Sequence, residues 1–422
     1  MADPNNPVPI KSRRLPIIRY ILGLALVGLA IGYFIDRIYW NRYVALFWSF
    51  ATTGGQLETY DPVEAIVGDH KPLPRVDAAA SGIAPDALTK ARDYAALTKA
   101  SAFMVWHNDA LVAETYWEGV TADSPIISRS LAKPFMAVAI GRAIALGKIN
   151  SLDQPVSDYI TEWKNDPVRS KILIRYLLDN RSGLLPQQPV FGPFEIRNRS
   201  YLHPHHEDVL IKEYPLTSTP GQRYDYSQAN GDLVAIVIER ATGRRYAEFL
   251  SAEVFRPIGA YGGSIWINRP EGVAHSGCCM EIPAEDFLRL GVLLMKDGIW
   301  EGKRLLPEGY VTQMRTGTPQ FPYAGMSVYV AGKYVMRRGF ANPDGKVRDT
   351  NTLHSSPYLA GDLFMFDGNK HQVVYVIPSA NTVILRTGLK TPKAPEFDNM
   401  ILPNTILAGL PKSRPSLVAQ TK

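Results

Sequence analysis

Strand patterns stand near both ends of this chain, and helical patterns fill the stretch between them. Residues 101–106 and 111–117 are rich in apolar and β-forming side chains, and a short polar turn at 107–110 joins them, which predicts a hairpin. Three further strand patterns follow late in the chain, at 363–366, 372–377 and 382–386. Strands at both ends predict an α+β fold in which one antiparallel sheet, assembled from both ends of the chain, is flanked by helices.

The predicted helices fall into two groups. One helix is predicted at 85–99, ahead of the hairpin. The others lie between the two sets of strands and predict a helical subdomain; they cover 131–146, 172–179, 232–241, 247–255 and 285–295.

Composition excludes several classes of protein. With 422 residues, 46% of them hydrophobic, the chain can bury a large core. The formal charge of +6 comes mainly from residues 1–43, which hold six Lys or Arg against two acids, so no basic face for nucleic acid is predicted. The only cysteines, Cys278 and Cys279, are neighbours. Adjacent cysteines rarely bridge, so neither a disulfide framework nor a zinc site of the cysteine type is expected.

An apolar run near the N-terminus predicts a membrane anchor. Residues 20–35 are 16 uncharged residues in a row, which as a helix span roughly 24 Å, and Arg19 can reach the headgroups so that the span is extended. Basic residues at 11–14 precede the run, and aromatic residues at 39–50 follow it. By the positive-inside rule, the N-terminus is cytoplasmic and the rest of the chain lies on the extracytoplasmic, periplasmic side.

Two other interpretations of the run stay open. A cleaved signal peptide would need a small-x-small site, but bulky side chains follow the run. An ordinary buried helix is the other alternative. The favoured prediction is an uncleaved single-pass transmembrane helix at 17–38, preceded by a cytoplasmic basic tail at 1–16 and followed by a juxtamembrane linker at 39–84.

One short motif carries the chemistry of a nucleophile. Ser130 is the only serine in the chain with a lysine three residues later, Lys133. If a helix opens at Ser130, the two side chains lie on one face, one turn apart. The hydroxyl then sits at the positive end of the helix, beside an amine that can take its proton. Pro134 favours a helix start at this place, because proline is tolerated in the first turn.

Several other motifs accompany this one, in order along the chain. They lie at 113–119, 128–135, 147–159, 177–184, 220–228 and 255–259. This ordered series resembles the serine β-lactamase-like family, in its class C, esterase and 6-aminohexanoate-dimer hydrolase branch. The resemblance covers about residues 85–390. It implies a β-lactamase/transpeptidase-like fold, a serine hydrolase domain at 85–395 and a C-terminal tail at 396–422.

The resemblance also assigns roles to single residues. Ser130 matches the nucleophile, Lys133 the lysine of the first motif, and Tyr226 the tyrosine of the second motif. Gln228 stands where the second motif usually has asparagine, and it is expected to contact Lys133 or substrate. The third motif is placed at 366–368.

In that third motif, Gly368 would allow a close backbone approach, and the backbone N–H of Asn369 would join that of Ser130 in an oxyanion hole. His371 is a candidate for the pocket wall. Neither lysine nor histidine occurs at 366–368, so the usual cation for a substrate carboxylate is missing. Penicillin-type substrates are therefore not expected.

The predicted function is cleavage of small amide or ester bonds through a Ser130 acyl-enzyme, with Lys133 and Tyr226 as the acid–base pair. A cell-wall D-alanyl peptidase or β-lactamase, and a catalytically silent binding module on the same scaffold, stay as alternatives. The long segment 184–215 is expected to shape the pocket. It contains His203, His205 and His206, for which a metal role is considered and not adopted. No cofactor and no metal are predicted.

Overall fold

The computed structural model describes residues 19–21, 23, 27–28, 32–188, 190–339 and 351–411. In this part of the chain the predicted order of elements is confirmed: strands early and late, helices between. A six-stranded sheet forms the centre. Its strands are β2 (Ala102–His107), β3 (Ala110–Tyr116), β9 (Tyr329–Val330), β12 (Phe364–Gly368), β13 (Gln372–Ile377) and β14 (Thr382–Thr387).

The central sheet joins the two ends of the chain. Its order is β3-β2-β14-β13-β12-β9, and every pair is antiparallel. β2 and β3 form the predicted hairpin, whose turn residues Asn108 and Asp109 both have positive φ, the conformation that two-residue hairpin turns require. β2 pairs along its whole length with β14, with Ala102 opposite Thr387.

The sheet separates two apolar layers because side chains alternate along each strand. One face carries Met104, Phe366 and Val374 and packs against the helices of the central region. The other face carries Phe103, Met365 and Tyr375. This second face is covered by α2 (Pro85–Leu97) and by a C-terminal helix, Ile401–Ala408.

The central helices include one that begins at the predicted nucleophile motif. A 3₁₀ turn, Arg129–Ala132, leads directly into α3 (Lys133–Ala145). The others are α4 (Ile174–Leu178), α5 (Ile196–Leu202), α6 (His206–Asp208), α7 (Gln228–Thr242), α8 (Tyr246–Leu250), α9 (Ala284–Met295) and α10 (Tyr310–Met314). Helix α7 begins at Gln228, four residues before its predicted start and two residues after Tyr226.

A second sheet was not predicted. It has four strands in the order β1 (Val63–Val67), β5 (Gly262–Trp266), β6 (Met280–Ile282) and β4 (Ile126–Ile127). β4 ends just before the 3₁₀ turn Arg129–Ala132, which contains Ser130 and is called the nucleophile turn below. Ser128 is fixed to Met280 by hydrogen bonds from both its backbone and its side chain. The smaller pairs are β7 (Ile299–Trp300) with β8 (Lys303–Arg304), and β10 (Arg337–Gly339) with β11 (Asn351–Leu353).

The segments flanking the predicted hydrolase domain contain ordered elements. Within 39–84 lie most of α1 (Arg37–Thr52) and the whole of β1, which pairs with β5. Part of the predicted linker therefore belongs to the folded domain. The predicted tail at 396–422 likewise includes the helix Ile401–Ala408, which is α11, while 412–422 lie outside the described residues.

The predicted anchor at 17–38 lies partly outside the described residues, and the predicted basic tail at 1–16 lies wholly outside them. Among the described residues, no helix has both the length and the apolar character needed to cross a bilayer.

The two cysteines are bridged. Cys278 and Cys279 form a disulfide between neighbours, and Cys279 adopts φ +71° in the turn that brings them together. This bond is the uncommon case for adjacent cysteines, and because it joins sequence neighbours it links no distant segments of the chain.

Candidate active site

Ser130 lies in a tight turn in front of α3. The residue before it, Arg129, has φ +50°, an uncommon conformation for a side chain of this size. Arg129 is held there because its buried guanidinium donates a hydrogen bond of 2.6 Å to the carbonyl of Leu57. The turn leaves Ser130 partly exposed while its neighbours Leu131 and Ala132 are fully buried. A rigid turn therefore presents the serine hydroxyl at the end of a helix.

Tyr226 contacts the serine directly. Ser130 Oγ and Tyr226 Oη are 2.6 Å apart, and either hydroxyl can be the donor. Burial raises the pKa of Tyr226, the Ser130 hydrogen bond lowers it, and the charge of Asp367 raises it further. The tyrosine therefore rests as a neutral phenol, whose hydroxyl can accept one hydrogen bond and donate another.

Lys133 lies beneath the same tyrosine. Its side chain is buried, and Nζ is 4.9 Å from the centre of the Tyr226 ring. Nζ donates hydrogen bonds to Gly277 O at 2.7 Å and to Gln228 Oε1 at 3.0 Å. Burial lowers the pKa of Lys133 to about 8, and the carboxylate of Asp232 opposes that shift. A lysine with this pKa is partly neutral near neutral pH, as a general base must be.

Gln228 fills the place that the second motif usually gives to asparagine. Its Oε1 accepts from Lys133, and its Nε2 donates to Asp232 Oδ1 at 3.3 Å. The side chain therefore reaches the lysine in spite of the additional methylene, and it connects the lysine to a buried carboxylate.

The third motif lies against the nucleophile turn. A Cβ on Gly368 would be 3.1 Å from both Leu131 N and Ser128 O, which is tighter than ordinary contact. Gln372, at the start of β13, donates to the carbonyls of Ile127 and Ser128 at 3.0 and 3.3 Å. The structure thus brings the end of β12 next to Ser130. The side chain of Asn369 is exposed, and its Oδ1 accepts from the N–H of Lys370.

Asp367 brings a carboxyl group, not a cation, to the third motif. Burial raises its pKa to about 7. Its charge raises the pKa values of Tyr226 and Tyr329, so it acts on the site electrostatically.

The predicted histidines lie away from the serine. His371 stacks on Phe397 with ring centres 4.6 Å apart, and Phe397 belongs to the apolar layer on the opposite side of the sheet. Burial lowers the pKa of His371 to about 4. His203 lies 3.3 Å from a carboxylate oxygen of Asp36, and His205 is half exposed.

Sequence reasoning missed the residues that hold the second motif in place. Asn180, at φ +58°, accepts from Ser227 N and Asn230 Nδ2, and its carbonyl accepts from Asp225 N. Gln187 N donates to Tyr226 O at 2.7 Å, so the first residues of the 184–215 segment also fix the tyrosine. Asn180 lies inside the motif at 177–184. The motif marked this segment as part of the site, but it did not show that Asn180 holds the second motif in place.

Comparison with known proteins agrees with this geometry. A family model described as Beta-lactamase matches residues 91–392. A 6-aminohexanoate-dimer hydrolase of Paenarthrobacter ureafaciens is 25% identical over 284 residues, covering 64% of this chain and 70% of that protein. Esterase EstB of Burkholderia gladioli is 28% identical over 225 residues, covering 49% of this chain and 54% of the esterase.

Solved structures show the same fold. A Bacillus anthracis protein assigned to the 6-aminohexanoate-dimer hydrolases superposes with a TM-score of 0.64 at 19% identity, covering 86% of this chain and 95% of the other. EstCE1, a hydrolase with promiscuous acyltransferase activity, gives a TM-score of 0.56 at 17% identity, with 79% and 98% covered. The family match spans well over half of the chain. The chain therefore belongs to the Beta-lactamase family, and it is a serine hydrolase with the β-lactamase/transpeptidase-like α+β fold.

Proposed function

We propose that this protein cleaves small amide or ester bonds through an acyl-enzyme on Ser130, with Lys133 and Tyr226 moving the proton. The observation that carries the proposal is the 2.6 Å contact between Ser130 Oγ and Tyr226 Oη, with the buried Lys133 amine beneath the tyrosine ring. A nucleophile, a relay and a base with a lowered pKa are what serine acylation needs.

The reaction runs in two halves. As Ser130 Oγ attacks the carbonyl carbon, its proton passes to Tyr226, whose own proton passes to the neutral Lys133. The tetrahedral oxyanion is stabilised by the backbone N–H of Ser130 and the N–H of Asn369, beyond Gly368. When the bond to the leaving group breaks, the amine or alcohol takes the proton back through Tyr226. Water then attacks the ester on Ser130 by the same path and releases the acid.

Ionised Asp367 would favour neutral acyl substrates over substrates that carry a carboxylate near the reacting bond, and its pKa of about 7 makes this effect strongest above neutral pH. Like charges at close range cost on the order of 1–4 kcal/mol at an intermediate dielectric constant. No lysine or histidine stands at 366–368 to offset this. The relatives named 6-aminohexanoate-dimer hydrolase and esterase support an amidase or esterase.

Covalent labelling tests the proposal. A fluorophosphonate should lose fluoride and leave one phosphonyl group on the peptide that contains Ser130. The adduct should be absent in Ser130→Ala and unchanged in the control Ser124→Ala. Labelling of folded protein at another residue, or no labelling, would contradict the proposal and leave the silent binding module.

We also propose that residues 17–38 anchor the enzyme in a membrane, with the hydrolase domain on the extracytoplasmic side. The apolar run, the basic residues before it and the aromatic residues after it support this. Helix α1 adds support, because Val44, Phe47 and Trp48 are exposed by 52%, 51% and 68%. Exposed aromatic residues directly after an apolar run suit a membrane–water interface.

A further inference from the structure

A buried cluster of metal-ligating side chains lies behind the catalytic lysine. His206, Asp232 and His275 are exposed by 0%, 1% and 0%. One possible ligand atom from each lies within 4.8 Å of those of the other two, and this is the one such cluster among the described residues. The three residues come from three separate segments: α6, α7 and the loop after β5. Gln228 connects the cluster to Lys133, because its side chain accepts from the lysine and donates to Asp232.

His206 is the first sign that a ligand belongs here. Neither of its ring nitrogens has a hydrogen-bond partner within the described part of the chain. Its ring centre lies 4.3 Å from that of His275. In its neutral form the ring carries a free lone pair. A fully buried imidazole without any partner costs free energy that a bound group would recover.

The surroundings of His275 suit a ligand. Its Nε2 is 3.1 Å from Tyr60 Oη, and its Nδ1 is 3.3 Å from Asp232 Oδ2. Tyr60 also has Tyr201 O as an acceptor, at 3.2 Å. In the tautomer in which His275 donates from Nε2 to Tyr60, the lone pair of Nδ1 faces Asp232 and can bind a cation.

We propose that His206, Asp232 and His275 bind one divalent transition-metal ion of the zinc type. Two imidazoles and one carboxylate form a donor set that such ions take, with a fourth position left for water. The contact from His275 Nε2 to Tyr60 is the outer hydrogen bond that orients a ligating histidine. Tetrahedral ligands at about 2.0–2.1 Å from zinc are about 3.3 Å apart. The three ligand atoms, now within 4.8 Å of one another, would therefore move closer together when the ion binds.

Neighbouring charges determine which ion fits. Two cations, Arg42 and Arg269, lie near the cluster, and Arg269 is paired with Glu207 at 2.6 Å. Arg42 is held by the carbonyls of Leu202, Asp61 and Asn268 and cannot move away. The cluster has one carboxylate, so electrostatic attraction alone is too weak to hold a divalent cation. The remaining binding energy has to come from bonds between the metal and the imidazole nitrogens. The site should therefore take zinc and reject magnesium and calcium, which prefer oxygen ligands.

Metal analysis of the full-length chain, purified in detergent without chelators, tests this. We expect elemental mass spectrometry to find about one zinc ion per chain. After removal of the metal with a chelator, added Zn²⁺ should raise the melting temperature by several degrees, and equal Mg²⁺ should not. Co²⁺ in place of zinc should give the visible absorption bands of a tetrahedral site.

Variants separate this cluster from the other histidines. His206→Gln should lose the metal and the zinc-dependent shift in melting temperature. The matched control, His205→Gln, changes the neighbouring half-exposed histidine and should keep both. Fluorophosphonate labelling of Ser130 reports whether each variant is folded; if His206→Gln does not fold, the wild-type cobalt spectrum decides. Folded wild-type protein without metal, without a zinc-dependent shift and without cobalt bands overturns the proposal, as does zinc retained by folded His206→Gln.

Discussion

Tyr226 is the residue that contacts both other members of the proposed catalytic set. Its hydroxyl contacts Ser130 Oγ, and its ring lies over the amine of Lys133. The hydrogen bonds of Lys133 go to Gly277 and Gln228. In the proposed mechanism the serine attacks, the tyrosine relays the proton and the lysine accepts it.

The lysine gives a prediction in two parts. Since burial lowers the pKa of Lys133 to about 8, the amine is protonated below that pH and cannot accept the serine proton. The kcat/KM for a neutral short-chain ester should therefore rise with pH and level off above about pH 8. In Lys133→Arg the guanidinium stays protonated, and turnover should fall by about 10²–10⁴-fold.

Stopped assays across pH 5–10 measure this, with circular dichroism to check folding. The control is Lys99→Arg, a change at the surface outside the site, which should keep the wild-type profile. A folded Lys133→Arg variant with near-normal turnover would show that Lys133 is not the base.

At the scale of elements, the nucleophile turn is held between two strands. β6 fixes Ser128 on one side, and the end of β12 approaches the turn on the other. Gln372 in β13 adds hydrogen bonds to the carbonyls of Ile127 and Ser128. The position of the serine hydroxyl therefore depends on contacts from both sheets.

Gly368→Ala tests the approach of β12. The new Cβ would lie 3.1 Å from Leu131 N and Ser128 O, so either the strand or the turn has to shift by a few tenths of an ångström. We expect turnover to fall at least tenfold and the free energy of unfolding to fall by about 1–3 kcal/mol. The control is Gly361→Ala, where a Cβ meets nothing within 4 Å and both quantities should stay unchanged. Normal turnover in Gly368→Ala would mean that this strand does not shape the oxyanion hole.

Strong local patterns made much of this architecture predictable. The strands β13 and β14 and helix α9 have continuous apolar faces, and their bounds agree with the sequence to within one residue. The second sheet could not be predicted, because β4 and β6 have two and three residues and are held by pairing with distant strands. The cluster of His206, Asp232 and His275 could not be predicted for the same reason. Asp232 and His275 are 43 residues apart in sequence, and only folding brings them together.

At the scale of the whole molecule, the topology of the proposed anchor can be measured. Alkaline phosphatase fused after residue 60 should be active, because that enzyme works only outside the cytoplasm, and β-galactosidase at the same site should be inactive. Fusions after residue 14 serve as the control and should give the opposite pair of results. An inactive phosphatase with an active cytoplasmic reporter at residue 60 would refute the N-in orientation.

The pairing of β2 with β14 also determines when the enzyme can begin to work during its synthesis. Ser130 and Lys133 leave the ribosome early, but Gly368 and the strand that closes the sheet, ending at Thr387, are synthesised much later. Until then the nucleophile turn has β6 on one side but lacks β12 on the other, and β2 lacks its partner β14. A chain interrupted between Lys133 and Gly368 carries a serine and a lysine but no assembled site. The proposed activity therefore appears only after the strand that ends at Thr387 has been synthesised.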